Sequence, residues 1–316
     1  MPKAYLVYNP AAGRFPSRIL TERAADVLRA QGWEMYLMQT NGGPHISQLT
    51  RQAVEHSMDA CFIAGGDGSI NFAIAGLVGS QTALGVLPAG TANVWAQELG
   101  LPGLTWTRWM ALEESARRLS TASIRSVDVG FCNQNPFLLW AGVGLDAFIV
   151  HRIEPRSRWE KHFAVAHYAA AAVRQARVWD GINLHVLADG SEVSGRYLLA
   201  VVTNIHLYAG GFAEISPYAR LDDGLMDLWL FSGDTLLETA HRIWDLWSGR
   251  HLNSDQARCI PFRKLRLSSD APLYIQLDGE PFADDSSVTI EVHSQALRVL
   301  VPDGAPRALF AEDENR

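Results

Sequence analysis

Three glycine-rich segments, each at the end of a β-rich apolar run, constrain the fold of this chain more than any other feature of its sequence. They cover residues 9–13, 65–68 and 88–93. A segment with helical periodicity follows each of them. Strands that alternate with helices of this length form a parallel sheet with helices on both faces. The first part of the chain is therefore predicted to be a doubly wound parallel-sheet α/β domain. Its predicted strands cover residues 4–8, 33–38, 59–64 and 83–87, and its predicted helices cover residues 17–30, 45–56 and 70–78.

The apolar pattern changes after about residue 120. Apolar and polar residues then alternate with a period of two, as at residues 182–186, 288–292 and 297–301. Such alternation is typical of antiparallel strands with one buried face. Two helices are predicted among these strands, at residues 159–178 and 235–248. We predict an α/β domain at residues 1–122, an antiparallel β-sandwich domain at residues 123–302 and a flexible tail at residues 303–316.

The composition excludes several classes of protein. Hydrophobic residues make up 48% of the chain, which is enough for a full core and excludes wholesale disorder. The 27 Lys and Arg residues and 34 Asp and Glu residues give a net charge of −7, which argues against a general nucleic-acid binder. Cys61, Cys132 and Cys259 lack metal-site spacing and suit a reducing compartment. We therefore expect a cytoplasmic protein, and the lack of a window of about 18 uninterrupted apolar residues predicts that it has no membrane-spanning helix.

The three glycine-rich segments are expected to lie together, because ligands bind outside the carboxyl ends of the strands in an open parallel sheet. Glycine lets backbone N–H groups approach phosphate oxygens, and the N-terminus of a following helix favours an anion. Hydroxyl groups at Ser69 and Thr91 can add hydrogen bonds. Any one such loop is more often a simple tight turn between strand and helix. Three of them on one edge favour a phosphate site.

Motifs of other enzyme classes are absent or incomplete. The chain has no Gly-x-x-x-x-Gly-Lys-Ser/Thr run and no Gly-x-Ser-x-Gly elbow, which argues against a P-loop enzyme and a serine hydrolase. Residues 142–147 fit the loose G-x-G-x-x-A dinucleotide pattern. The acidic residue expected about 20 positions later is missing, so this pattern is a weak indication of dinucleotide binding.

Two acidic clusters in the second half offer groups for chemistry. Asp223 and Asp227 lie at a turn before a predicted strand, where carboxylate and carbonyl oxygens suit Mg²⁺ or Ca²⁺; the alternative is an ordinary solvated turn. Asp278 and Glu280 lie two positions apart after another predicted strand. If this run is extended, its two carboxylates share a face, and one of them could act as a general base. The alternative is again a turn.

Tryptophan is frequent, with ten residues, and several lie beside cations. Trp106 and Trp109 flank Arg108, and Trp159 follows Arg158. Amphipathic Trp next to Arg suits a bilayer interface. A packed helix with one exposed edge shows the same pattern, so both interpretations stay open.

Six motifs, taken in order, resemble the bacterial diacylglycerol kinase-like lipid kinases, whose catalytic domain is shared with eukaryotic diacylglycerol, sphingosine and ceramide kinases. One Gly-Gly-Asp-Gly run alone is weak, because phosphofructokinases and NAD kinases carry it too, but the ordered set covers residues 4–302. The motifs are Asn-Pro-Ala-Ala-Gly at 9–13, Gly-Gly-Asp-Gly-Ser-Ile-Asn at 65–71, Leu-Pro-Ala-Gly-Thr-Ala-Asn at 87–93, Gly-Val-Gly-Leu-Asp-Ala at 142–147, Asp-Gly-Leu-Met-Asp at 223–227 and Asp-Gly-Glu at 278–280.

The resemblance implies an enzyme that uses ATP and Mg²⁺ to phosphorylate a hydroxyl of a membrane lipid such as diacylglycerol. It also implies that the protein associates peripherally with the inner membrane surface. It implies that Glu280 is the proton acceptor, with Asp278 close by. It also implies that the Asp223 carboxylate and the carbonyl groups of Arg220 and Leu225 hold Mg²⁺. The residues implied to bind ATP are Asn9, Gly13, Thr40, Gly65, Gly66, Asp67, Gly68, Ser69, Asn71, Gly90, Thr91 and Asn93.

The chain departs from the family pattern near the implied ATP site. Phe72 stands where the family usually has Glu, Val94 where it usually has Asp, and Gln97 in a segment where it usually has Arg. Because Asp67 and Glu280 remain, an active lipid kinase is favoured. Two alternatives stay open: a catalytically weak relative that binds nucleotide or lipid, and a kinase of a soluble substrate such as NAD or a sugar phosphate.

Overall fold

The computed structural model describes residues 1–10, 17–153, 179, 181–233 and 236–311. The chain divides into two compact units, one formed by Met1–Val129 with Ser294–Arg316 and the other by Gly130–His293. The first is a parallel-strand α/β unit and the second is an antiparallel β-sandwich unit. The fold class predicted from the sequence is therefore confirmed.

The first unit alternates strands and helices, as the periodicity predicts. Its central strands are short apolar runs with almost fully buried side chains, and α1 and α2 are amphipathic. In chain order the elements are β1 (Lys3–Tyr8), α1 (Ser17–Ala30), β2 (Glu34–Gln39), α2 (Gly43–Glu55), β3 (Ala60–Gly65), α3 (Asp67–Leu77), β4 (Ala83–Pro88), α4 (Val94–Glu98), α5 (Ala111–Ser120) and β5 (Ser123–Cys132).

The first four strands form a parallel sheet in the order β2-β1-β3-β4. Tyr8 is level with Gln39 of β2 and with Ala64 of β3, and Gly65 is level with Pro88 of β4. All four strands therefore end at the same edge of the sheet. The chain goes from β1 to β2 on one side and continues with β3 on the other side. The ends of β1 and β3 thus flank a topological switch point, where ligands bind in open α/β sheets.

Helices pack in two pairs in this unit. Helix α1 contacts α5, and α2 contacts α3. Helix α2 has a proline in its first turn, where a missing N–H costs no intrahelical hydrogen bond. Helix α5 has acidic residues in its first turn and basic residues in its last turn, which complements the helix dipole.

The last strand returns to the first unit. Residues 294–301, which their alternation led us to place in the β-sandwich domain, are the end of β16 (Glu280–Val301) and belong to the α/β unit. Val299 of this strand pairs in parallel with Leu84 of β4, and both side chains are buried. Alternation indicates a buried face but not which sheet supplies it, so this assignment required the structure.

Part of the predicted flexible tail is packed against the first unit. Arg307–Leu309 forms a 3-10 turn, and Leu309 and Phe310 are buried. The Arg125 guanidinium lies 4.7 Å from the centre of the Phe310 ring. Burial of two apolar side chains explains why residues 303–311 do not form a tail. Residues 312–316 lie outside the described part of the chain.

The second unit contains the other period-two strands and two of the described α-helices. The helix predicted at 159–178 lies outside the described residues, and the one predicted at 235–248 is observed as α7. In chain order the elements are β6 (Asn135–Phe137), β7 (Trp140–Gly144), α6 (Leu145–Ile153), β8 (Ile182–Ala188), β9 (Ser191–Tyr197), β10 (Leu199–Thr203), β11 (Leu207–Tyr208), β12 (Ala213–Glu214), β13 (Met226–Phe231), α7 (Leu236–Trp247), β14 (Ala257–Phe262), β15 (Lys264–Leu277) and the first part of β16.

The strands of the second unit form an antiparallel array in the order β14-β13-β10-β7-β15-β16, and β8 pairs with both β15 and β9. Alternate residues of these strands, including Leu184, Leu228, Ile275 and Val288, form one buried core. Helix α6 packs against β15. Ile275 and Leu277 of β15 face the core. Gln276, between them on the strand, and Asp278, directly after the strand, are buried as well.

Candidate active site

Gly66 and Gly90 bring the second and third glycine-rich loops into backbone contact at the common edge of β1–β4. A Cβ atom built on Gly90 would lie 2.4 Å from the Gly66 Cα atom, which leaves no room for any side chain. Asn93 fixes the third loop: its Oδ1 accepts the Gly90 N–H at 2.8 Å and its Nδ2 donates to the Gly90 carbonyl at 3.0 Å. Asn93 is 4% exposed and has a left-handed backbone conformation. The two loops therefore pack directly against each other through their backbones.

Asp67 joins these two loops through the N-terminus of α4. Its carboxylate accepts the Val94 N–H at 3.0 Å and the Trp95 N–H at 3.2 Å. Burial raises the pKa of Asp67 above its ordinary value, and these backbone N–H groups oppose that rise. The Asp67 side chain thus caps a helix across the loops. The N-terminus of α4 is occupied by this carboxylate, whereas α3 begins at Asp67 itself.

The other residues implied to bind ATP lie at the same edge with different exposure. Thr40 follows β2 and is buried, and its hydroxyl is hydrogen-bonded to the carbonyl and N–H of Gly42. Asn9 follows β1 and is partly exposed, Ser69 and Asn71 are partly exposed in the first turns of α3, and Thr91 is exposed. Gly13 lies outside the described residues. The prediction that the glycine-rich loops share one edge is confirmed for the loops after β3 and β4.

Two of the three departures from the family pattern, Phe72 and Val94, have different surroundings. The Phe72 ring lies against Gly43 in the first turn of α2, and the Phe72 carbonyl accepts a hydrogen bond from the Ser47 hydroxyl at 2.7 Å. Phe72 is partly exposed, so another side chain could be accommodated there. Val94 is 1% exposed, and its N–H is the donor to Asp67. A carboxylate at position 94 would be buried beside the Asp67 carboxylate.

The acidic motif at 278–280 forms a hairpin turn, which is the second of the two interpretations of this run. Leu277 at the end of β15 pairs with Glu280 at the start of β16, so Asp278 and Gly279 are the two central residues of a tight loop. Their φ angles are 50° and 85°. Two positive φ angles define the type I′ turn, for which Asp-Gly is a favoured sequence. The two carboxylates therefore do not share a face of an extended strand, and Glu280 is exposed.

Asp278 anchors this turn to the segment before β7. One of its carboxylate oxygens accepts the N–H groups of Leu139 at 2.8 Å and Trp140 at 3.0 Å, and the other accepts the Leu138 N–H at 2.9 Å. The Asp278 N–H donates to the Trp140 carbonyl at 2.9 Å. Asp278 is 6% exposed. Its carboxylate is committed to the backbone, which leaves Glu280 as the solvent-facing acid of the motif.

The Asp223 turn engages its own backbone. Asp223 Oδ1 accepts the Leu225 N–H at 3.0 Å, and partial burial raises the pKa of Asp223. Arg220 is exposed. Asp227 accepts a short hydrogen bond from the Ser216 hydroxyl and also bonds Cys259. In the described part of the chain, His, Cys, Asp and Glu side chains do not gather in groups of three that could hold a metal ion. One carboxylate with nearby carbonyl groups fits a Mg²⁺ ion only when water or substrate oxygens complete its shell.

Several exposed aromatic side chains lie on the surfaces of the units. Trp106, Trp109 and Met110 are exposed around Arg108, and the Arg23 guanidinium lies 4.7 Å from the Trp109 ring centre. Trp244 and Trp247 of α7 are also exposed. Among the residues that the structure describes, no helix combines the length and the apolar character needed to cross a bilayer.

Two family models match the chain and meet near the start of the second unit; the second model also covers residues 294–301, which the structure groups with the first unit. The family model described as "Diacylglycerol kinase catalytic domain" matches residues 3–132, and the one described as "YegS C-terminal NAD kinase beta sandwich-like domain" matches residues 140–301. The chain belongs to the bacterial diacylglycerol kinase-like lipid kinase family. This result confirms the resemblance to that family. Membership of the family supports a kinase activity for this protein.

Relatives align over nearly the whole chain. A protein named diacylglycerol kinase from Bacillus subtilis is 25% identical over 285 residues, covering 89% of this chain and 90% of that protein. One of the same name from Mycobacterium tuberculosis is 25% identical over 306 residues and covers 95% of each chain. A crystal structure of a diacylglycerol kinase from Bacillus anthracis has a TM-score of 0.72 at 17% identity and covers 96% of this chain and 98% of that one. This last similarity concerns the fold.

Two buried polar side chains, one in each unit, were not indicated by any sequence pattern. One is Gln276, a buried glutamine on β15 that contacts the 278–280 turn. The other is Asp128, a fully buried carboxylate on β5 that accepts the Gln295 N–H at 2.7 Å. A polar residue within a run of apolar residues is the only signal that could have marked either of them.

Proposed function

We propose that this protein transfers the γ-phosphoryl group of ATP to a hydroxyl group of a membrane lipid such as diacylglycerol. The observation that carries the proposal is the common edge of β1–β4, where the loops of Gly66 and Gly90 are in backbone contact beside a topological switch point. Glycine-rich loops at such an edge suit phosphate binding, and the chain belongs to a family of lipid kinases. Relatives named diacylglycerol kinase support the lipid acceptor.

In this proposal the phosphates of ATP bind the backbone of residues 65–71 and 90–93. Asn9 and Thr40 border them from the neighbouring strand ends, and Gly13 is included on the sequence motif alone. Asp67 and Asn93 act indirectly, because their side chains bond the backbone of the loops rather than face outward. Their role is to hold the loops in one geometry before the nucleotide arrives, which lowers the cost of organising the site.

Glu280 is the proposed general base. It orients the lipid hydroxyl and accepts its proton while the hydroxyl oxygen attacks the γ-phosphorus in line and the bond to ADP breaks. Asp278 positions Glu280, because its carboxylate fixes the turn from which Glu280 projects. Mg²⁺ held by the Asp223 carboxylate and the carbonyl groups of Arg220 and Leu225 would supply positive charge to the phosphates.

A lipid acceptor requires contact with a membrane surface. The exposed side chains of Trp106, Trp109 and Met110 surround Arg108, and this combination suits the boundary between headgroups and acyl chains. We propose peripheral association through this loop. Binding to vesicles that contain anionic lipid should weaken when both tryptophans are changed to alanine, and the matched change of Trp244 and Trp247 should have a smaller effect.

The acceptor class is tested by supplying both kinds of acceptor at once. Wild-type protein, Mg²⁺ and γ-labelled ATP are incubated with a total lipid extract in mixed micelles, and separately with a water-soluble metabolite extract. The proposal predicts label in the organic phase of the first reaction and none above background in the second. Label that appears only in the water-soluble reaction would support the alternative of a soluble-substrate kinase.

A catalytically weak relative is the second candidate, and Phe72 favours it. The family usually has Glu at this position, and the ring here lies against Gly43 at the edge of the proposed ATP site. Phe72→Glu discriminates between the two functions. A gain in turnover of tenfold or more would favour the catalytically weak relative, because glutamate would then restore lost activity. An unchanged or lower turnover would favour an active lipid kinase in which Phe72 is compatible with catalysis.

A further inference from the structure

Gln276 links the 278–280 turn to a buried acid far away in the sequence. Its Nε2 donates to Asp146 Oδ2 at 3.1 Å, and its Oε1 accepts the Gly279 N–H at 2.7 Å. This orientation of the amide is the only one that satisfies both partners, because an ionised carboxylate only accepts and a backbone N–H only donates. Gln276 is 1% exposed, so water does not replace these partners at low cost.

Asp146 is held in place by its own set of donors. The Ala147 N–H donates to Oδ1 at 2.7 Å, and the Tyr208 hydroxyl donates to Oδ2 at 2.8 Å. Gly142, which is directly opposite Gln276 in the sheet, provides the space. A Cβ atom on Gly142 would lie 2.0 Å from Asp146 Oδ2 and 2.5 Å from Gln276 Nε2. The aspartate of the 142–147 motif therefore forms a hydrogen-bonded relay with Gln276, in space that the glycine of the same motif leaves open.

We propose that Asp146 and Gln276 are positioning residues that fix the 278–280 turn and hence the direction of Glu280. The inference rests on the proposed function, because Glu280 is the general base there. The turn has two central residues, Asp278 and Gly279, and each is held by its own hydrogen bonds. Asp278 is bonded to residues 138–140, and Gly279 is bonded to Gln276. Loss of the relay leaves the Gly279 side of the turn without its hydrogen bond, and a displacement of about 1 Å at a reacting group can cost about 100-fold in rate.

The relay has a polarity that can be reversed by mutation. In Asp146→Asn, an amide that replaces Oδ2 donates toward Gln276, so Gln276 must rotate its own amide and then presents a donor to the Gly279 N–H. In Gln276→Glu, a carboxylate faces the Asp146 carboxylate. In the double variant the amide and the carboxylate exchange places, so position 146 donates to position 276 and position 276 still accepts from Gly279. The total charge of the pair is also unchanged.

The first readout is steady-state phosphoryl transfer. Each single variant should lower kcat by about 10- to 100-fold with the KM for ATP unchanged. The reason is that the substitution displaces the general base Glu280 and leaves the ATP-binding loops as they are. The double variant should recover to within about threefold of the wild type. Gln256→Glu, the same chemical change at an exposed glutamine of the second unit, serves as the matched control.

The second readout does not depend on activity. Amide hydrogen exchange of Gly279, followed by NMR, should accelerate in both single variants and return toward the wild-type rate in the double variant. If the wild-type protein transfers no phosphate to lipid, the proposed function fails while the exchange data still test the relay. Single variants with wild-type exchange and wild-type kcat would overturn the inference. A double variant that recovers neither Gly279 protection nor kcat would also overturn it, whether or not the single variants fold.

Discussion

Replacement of Gly90 by alanine tests the contact between the two glycine-rich loops. The new Cβ atom would lie 2.4 Å from the Gly66 Cα atom and 2.9 Å from the Gly66 N atom, whereas ordinary contact begins at 3.4 Å. The shortfall from the Cα atom is 3.4 − 2.4 = 1.0 Å. The Cβ atom would also lie 2.7 Å from Asn93 Oδ1. Because the two Gly66 atoms belong to the backbone and cannot rotate away, the loops must separate by about this shortfall.

Two effects of Gly90→Ala follow. Overpacking of this kind costs about 1–3 kcal/mol, so the free energy of unfolding in urea should fall by that amount. The separated loops should also bind ATP more weakly, so the thermal stabilisation that ATP confers on the wild type should decrease at the same ATP concentration.

Gly304→Ala is the control for Gly90→Ala, because a Cβ atom there meets nothing within 4 Å. It should leave both measurements unchanged. If Gly90→Ala unfolds with the wild-type free energy and is stabilised by ATP as the wild type is, the loops do not depend on the backbone contact between Gly66 and Gly90.

Three further predictions concern buried carboxylates. Asp278→Asn leaves one acceptor oxygen for three backbone N–H donors, so the free energy of unfolding should fall by about 1–3 kcal/mol in urea titrations; a loss below about 0.5 kcal/mol would contradict the anchoring role. Val94→Asp should destabilise the protein more than Phe72→Glu in the same titrations, because it buries a second carboxylate beside Asp67, and equal effects would contradict this. Burial raises the pKa of Asp146, so the unfolded chain ionises first and wild-type stability should fall as pH rises from the ordinary value toward the raised one. The stability of Asp146→Asn relative to the wild type should therefore increase from pH 4 to pH 7, and a constant difference would show that burial does not shift this pKa.

The sequence predicts the scaffold well because local periodicity and glycine placement determine it. The strands that end at Tyr8 and Gly65 are apolar runs that glycine-containing segments follow in the sequence, so their common edge could be predicted before the structure. Helix α1 is found at the predicted residues for the same reason. Residues 294–301 were assigned to the other domain because alternation shows that a strand has a buried face without identifying the neighbouring strand.

The polar organisation of the site could not be predicted, because it depends on contacts between residues far apart in the sequence. Asp67 lies in a phosphate-loop motif, yet its carboxylate caps α4, 27 residues away. The bond from Gln276 to Asp146 spans 130 residues, and Gln276 belongs to none of the six motifs. The turn at Asp278 is an intermediate case: Asp-Gly favours a tight hairpin, but the three N–H donors of its carboxylate come from a segment about 140 residues earlier.

Glu280 is the proposed base of an ATP-dependent phosphoryl transfer to lipid. The most direct measurement compares transfer of labelled phosphate to lipid in mixed micelles by the wild type, by Glu280→Gln and by Glu192→Gln, an exposed glutamate of the same unit. If Glu280 is this base, Glu280→Gln retains ATP binding and loses about 100- to 10,000-fold in kcat, and Glu192→Gln behaves as the wild type. Transfer by Glu280→Gln at the wild-type rate would show that Glu280 is not the base.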